Sequence, residues 1–142
     1  KRQKPYKPKF VVVDNLSMEN DQAKKRLDTL ESEPLVEFIH GDLTDGEVIS
    51  QVDIHGPYDL VWFDCGGWEQ YKFFAENYWN MIKEYALFHF TYFKGETNTN
   101  WEIVNQLPAT FRMDIVEPHK FRQGSITMLR RTNFEEIKRR HG

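Results

Sequence analysis

A chain of 142 residues can build one hydrophobic core and is too short for two. Its net charge of -3 gives no global attraction to nucleic acid or membrane, and its 15% aromatic content argues against disorder. No apolar run approaches the ~20 residues of a membrane span, and the single cysteine, Cys65, excludes an internal disulfide framework and suits a reducing cytoplasm.

Residues 1–9, KRQKPYKPK, are basic and carry two prolines, so they read as an extended arm or linker. Because the chain opens at Lys1 without an initiator methionine, it is expected to be a trimmed form or one piece of a longer protein. Residues 10–13 predict a first strand. Ser17 can cap a charged helix running to about residue 32, with Ala23, Leu27 and Leu30 on one face. Residues 35–40 predict a second strand that closes on Gly41-Asp42-Leu43, followed by a short helix over 47–52. Residues 59–63 predict a third strand, ending in Asp64, Cys65 and the pair Gly66-Gly67.

WEQYKFFAENYWNMIK, residues 68–83, places Tyr71, Phe74, Tyr78, Met81 and Ile82 at helical spacing, the pattern of a core-facing stripe. YALFHFTYF, residues 85–93, predicts a fourth strand. Residues 98–107 predict a helix with Trp101, Val104 and Leu107 inward. FRMDIVEP and GSITMLRR predict two closing strands. Their short link, HKFRQ, demands an antiparallel pair, because a parallel one needs a crossover of a dozen or more residues. Residues 132–142 read as a polar tail. Strand and helix thus alternate four times before a hairpin. This predicts one α/β domain over residues 10–131: a Rossmann-like, mostly parallel sheet with helices on both faces and a C-terminal antiparallel β-hairpin.

Ligands of such sheets bind at the carboxyl ends of the strands, and three of these ends carry an acid: Asp14, Asp42 and Asp64. Asp14 could accept both hydroxyls of a ribose, or it could cap its own turn with Asn15, Leu16 and Ser17. Asp42 could meet an adenine amino group with Leu43 packed on the ring, or it could cap the helix that follows. Asp64 could orient a substrate, bind a metal or act as a base. Cys65 reads as a small buried hydrophobe, since no histidine partner is identifiable for an activated thiolate. His89 falls near the carboxyl end of the fourth strand, where it can be a core residue or face the crevice as a general base. His40, at the end of the second strand, is a weaker candidate for that role, and the other three histidines show no metal-ligand spacing with each other or with Cys65, so no zinc is expected. The basic ends read as solvated rather than as a phosphate surface, and nucleic acid is not an expected partner.

The order strand-Asp, strand-Gly-Asp-Leu, strand-Asp-Cys-Gly-Gly, aromatic helix, strand with His and final hairpin resembles the class I S-adenosylmethionine-dependent methyltransferases. Within them it is most similar to the small-molecule O-methyltransferase-like branches. YDLVWFDCGGWEQYKFFAENYWNMI and the closing FRMDIVEPHKFRQGSITMLRR carry most of that resemblance, which spans residues 9–131. It implies S-adenosyl-L-methionine as cofactor and a small-molecule acceptor of the methyl group. It also implies that Asp14 binds the ribose, that Asp42 and Leu43 bind the adenine, and that Asp64 lies near the methionine part or the acceptor. Asn15, Leu16, Gly41, Cys65 and Gly66 would line the same edges, and His89 or Asp64 would supply a base. The glycine pair stands where the metal-dependent branch favours a further acid, so no metal is expected.

Two departures accompany the resemblance. The fourth strand follows Lys83-Glu84 instead of a glycine-rich turn. The family's first strand, glycine loop and first helix have no counterpart, and in the family's sheet that strand lies between those ending at Asp14 and Asp64. A partner chain or an upstream segment is expected to complete the sheet. Two other readings stay open. One is an inactive methyltransferase-like interaction domain, which takes the missing loop at face value. The other is the NAD-binding part of a nucleotide-sugar epimerase or dehydrogenase, whose second and third strands resemble VVVDNLS and VEFIHGDLTD. That group needs a Tyr-x-x-x-Lys pair, which this sequence lacks.

Overall fold

A computed structural model describes residues 9–17, 20–91, 99–117, 119 and 125–131. The arm over 1–8, the end of the expected fourth strand, most of the hairpin link, the tail over 132–142 and the side chain of Ala23 lie outside the described residues. The chain is α/β, and it divides into two compact units, Lys1–His55 and Gly56–Gly142.

In the first unit, β1 (Phe10–Asp14) and β2 (Val36–His40) pair in parallel, with Phe10 opposite Val36 and Asp14 opposite His40. Runs of β-branched and aromatic residues favour this extended pairing. The connecting helix α1 (Asp21–Glu31) starts later than the sequence suggests. The carbonyl of Asn20 accepts the first helical bond, from Lys24 N at 2.9 Å, so Ser17 is not its cap. Leu27 is half-buried, but Leu30 stays 39% exposed, so the expected apolar face is only partly covered. Helix α2 (Gly46–His55) opens on Asp45, whose carbonyl accepts from Ile49 N, and it buries Val48 and Val52 one turn apart. It approaches the end of β2 so closely that a Cβ on Gly41 would meet Val48 Cγ2 at 2.6 Å. Glycine is required there for space rather than for conformational freedom.

The second unit contains β3 (Tyr58–Phe63), α3 (Trp68–Asn77), a 3-10 turn (Trp79–Met81), β4 (Ile82–His89), α4 (Thr99–Gln106), β5 (Ala109–Val116) and β6 (Ser125–Arg131). These strands form one sheet in the order β3-β4-β6-β5. The β3–β4 pair is parallel, while β6 runs antiparallel to both β4 and β5. The closing pair is antiparallel, as its short link demands. The expected single, mostly parallel sheet is corrected: among the described residues there are two sheets, and the larger one is mixed. Two physical reasons account for this. Among the described residues no strand pairs with the second edge of β1 or of β3, and β6 enters the sheet between β4 and β5.

α3 lays Tyr71, Phe74 and Tyr78 along one stripe, as the spacing predicts, and all three are buried. Met81 and Ile82 leave that stripe. The helix ends at Asn77, and Ile82 begins β4 and buries itself with Ala86 and Phe88 on one face by strand alternation. The fourth strand therefore starts earlier than the sequence suggests and ends at His89. Phe63 is the hub of the core, with ring centroids 4.3 Å from Phe74, 4.8 Å from Tyr71 and 6.1 Å from Phe88. Val104 of α4 is buried, but Trp101 is exposed at 37%, with the Arg112 guanidinium 5.3 Å from its indole ring, and Leu107 is half-buried. At the far end of the sheet, the Arg131 guanidinium donates to the carbonyls of Asn80 at 2.9 Å and Ile82 at 2.6 Å, clamping β6 to the start of β4.

The opposite face of this sheet is different. Leu60 and Trp62 of β3 and Phe111, Met113 and Ile115 of β5 point away from the buried rings and are 40% to 60% exposed. Helices on both faces were expected, yet among the described residues of this unit no helix buries these side chains. The contrast across one strand is testable by chemical denaturation. Phe63→Ala should cost about 3–5 kcal/mol through transfer and cavity terms, whereas Leu60→Ala should cost less than about 1 kcal/mol.

Candidate functional site

Parallel strands in register bring their carboxyl ends to one edge, and each unit has such an edge. In the first unit it holds Asp14 and Gly41-Asp42-Leu43. Asp14 is exposed, and its Oδ1 accepts from Leu16 N at 2.7 Å, closing an Asx-type turn. Among the described residues its Oδ2 has no hydrogen-bond partner. Leu16 takes a positive φ of 59°, which is unusual for a branched apolar residue and strains the turn that frames Asp14. Gly41 N donates to the Asp14 carbonyl at 3.0 Å, joining the two strand ends.

Asp42 is more heavily engaged. Its Oδ1 accepts from Thr44 N at 2.9 Å and from Thr44 Oγ at 2.7 Å, while Asn15 Nδ2 donates to Oδ2 at 3.4 Å. The backbone donor of Thr44, then its hydroxyl, hold the Asp42 carboxyl below its ordinary value of 3.8. Asn15 thus links the two acidic turns, with its Oδ1 accepting from Ser17 N at 3.1 Å. The sequence reading missed Thr44. Its position two residues after an aspartate is the spacing of an Asx turn and could have revealed it.

In the second unit, Phe63 and Phe88 are register partners, so the residues that follow them are neighbours. Asp64 Oδ1 lies 3.0 Å from Nδ1 of His89, the last residue of β4. An ionised carboxylate can only accept, so Nδ1 is the donor and the neutral imidazole carries its lone pair on Nε2. The His89 side chain is 17% exposed and that of Asp64 36%, so the pair is accessible from solvent and still partly sheltered. The His89 ring sits 5.6 Å from the Trp62 ring and 3.9 Å from the Phe90 ring. The structure therefore brings together two residues that the sequence had offered as separate candidates.

Cys65 is exposed, not the small buried residue expected. Gly66 has φ 64°, and a Cβ there would meet the Gln70 side chain at 2.5 Å. Gln70 Oε1 in turn accepts from Gly67 N at 2.9 Å, so the first glycine serves the start of α3. Tyr71, read from the sequence only as a core residue, donates its hydroxyl to the His89 carbonyl. Burial, then the charges of Asp64 and Cys65, push its phenol well above the ordinary range. Among the described residues no three His, Cys, Asp or Glu side chains converge, and no helix is long and apolar enough to cross a membrane.

No protein-family model, no curated protein and no solved structure matches the chain.

The Asp42 turn yields a signed pH dependence. A carboxyl lowered in the folded state contributes stability that is fully present above its unfolded value of 3.8 and is lost as pH falls through the folded value. The amide resonance of Thr44 should therefore titrate with a midpoint below 3.8, and Thr44→Ala should move the turn's midpoint upward. A Thr44 midpoint at or above 3.8 contradicts the hydrogen bonding described.

Proposed function

We propose that the chain carries the acid-bearing strand ends of an S-adenosylmethionine-dependent methyltransferase that acts on a small-molecule acceptor. The observation that supports this best is the Asp64–His89 contact, which equips the carboxyl edge of two parallel strands with an oriented base. In this reading His89 Nε2 takes the proton from the acceptor's hydroxyl as that oxygen becomes the nucleophile. Asp64 holds the ring in place and balances the charge that develops on the imidazolium. S-adenosyl-L-methionine, when bound, supplies an activated methyl group.

The residues of the first unit, taken by themselves, suit a nucleoside. Asp14 Oδ2, without a partner among the described residues, offers an acceptor to a ribose hydroxyl, and Asp42, kept ionised by Thr44, offers one to an adenine amino group beside Leu43. Among the described residues the second edges of β1 and of β3 are unpaired, and each suits an added strand from an upstream segment or a partner chain, the source we assign to the glycine loop. The single cysteine fits a cytoplasmic enzyme. A second reading, an interaction module without activity, is favoured by the exposed face of Leu60, Trp62, Phe111, Met113 and Ile115.

Calorimetric titration with S-adenosylhomocysteine tests the proposal. Asp14→Ala should weaken the nucleoside by about 1–3 kcal/mol if the carboxylate holds ribose hydroxyls. An unchanged affinity removes Asp14 from the site, and an absence of heat with both this ligand and NAD favours the interaction module. Once an acceptor is identified, His89→Gln should slow transfer by roughly 100- to 10,000-fold, the usual contribution of a positioned base.

A further inference from the structure

His89 ends β4 at a forced bend, because Phe90 takes a positive φ of 54°. A bulky aromatic residue resists that conformation, which persists only where the surroundings hold it. Here the backbone is tied at three consecutive polar groups. The buried Tyr71 hydroxyl donates to the His89 carbonyl. Phe90 N donates to the Ser125 carbonyl at 3.1 Å, and the buried Asn100 Nδ2 donates to the Phe90 carbonyl at 3.4 Å. These groups come from α3, β6 and α4, so the bend is held from three elements.

The consequence lies in the imidazole. Strand alternation fixes which face His89 projects from, the β3–β4 register sets it beside Asp64, and the bend that follows ends β4 at that point. We propose that Tyr71, assisted by Asn100, is the positioning residue of the Asp64–His89 pair: its hydroxyl fixes the His89 carbonyl so that Nδ1 meets Asp64. This deepens the reading of His89 as a base and rests on it for its use in catalysis. The placement of the imidazole can be tested without any cofactor.

The readout is the tautomer of neutral His89, seen by long-range proton–nitrogen correlation in the 142-residue chain. The unmodified chain should show the proton on Nδ1, and Asp64→Ala should abolish that pattern by removing the acceptor. Tyr71→Phe removes one hydroxyl and keeps the ring against Phe63, so the chain should stay folded while the Nδ1–H pattern is lost in favour of Nε2–H. Asn100→Ala provides a second variant with the same expected loss. Loss of the pattern in either folded variant supports the positioning role. Its retention in both overturns the role, including the case where Tyr71→Phe lowers stability but leaves the tautomer unchanged in the folded molecules. A tautomer that responds to Tyr71→Phe in a chain that binds no S-adenosylhomocysteine upholds the positioning role and tells against the methyltransferase reading alone.

Discussion

Phe63 is the residue on which the larger unit depends. It occupies the last position of β3, fully inside, and its ring touches two aromatic rings of α3 and one of β4. These contacts fix α3 over the parallel pair, and α3 in turn carries Tyr71 to the end of β4. The same register that sets Phe63 beside Phe88 sets Asp64 beside His89 one residue later. Hydrophobic packing on one side of the sheet and polar pairing at its edge are thus two results of a single alignment. A slip of one residue would turn Phe63 outward and separate the acid from the histidine.

The acids at the strand ends divide by what already occupies them. Asp42 is held by three donors, two from Thr44 in its own turn and one from Asn15 at the end of β1, and the Thr44 donors favour its charged form. Asp14 gives one oxygen to its turn. Asp64 is turned toward a titratable ring. A carboxylate oriented by its own turn is a fixed acceptor, and one facing an imidazole is a good reagent. The three strand ends that look alike in sequence therefore differ in their chemical readiness.

Local patterns were legible. The β-branched runs of β1 and β2, the aromatic stripe of α3 and the antiparallel β5–β6 pair all follow from periodicity or link length. The departures arise where two patterns overlap or where tertiary contact decides. Ile82 satisfies both a helical and an alternating spacing, and burial in the sheet decides for the strand. Trp101 satisfies an inward helical position, and a cation from β5 covers it instead. The number of sheets was not legible, since it depends on which strand edges find partners. In the candidate site, Asp64 and His89 were recognisable by their places at strand ends. Tyr71 was not, because its hydroxyl reaches a carbonyl eighteen positions away and the apolar spacing fully accounted for its ring.

The uncovered face of the four-stranded sheet also shapes how the chain responds to temperature. Apolar surface that remains in water in the native state is hydrated both before and after unfolding, so it adds nothing to the difference between the two. The heat capacity of unfolding and the slope of stability against denaturant both scale with newly exposed surface. For a chain of this length both should be low, and the curve of stability against temperature correspondingly flat. Burying Leu60, Trp62, Phe111, Met113 and Ile115 under another surface would increase the surface exposed on unfolding and so sharpen the curvature of stability against temperature.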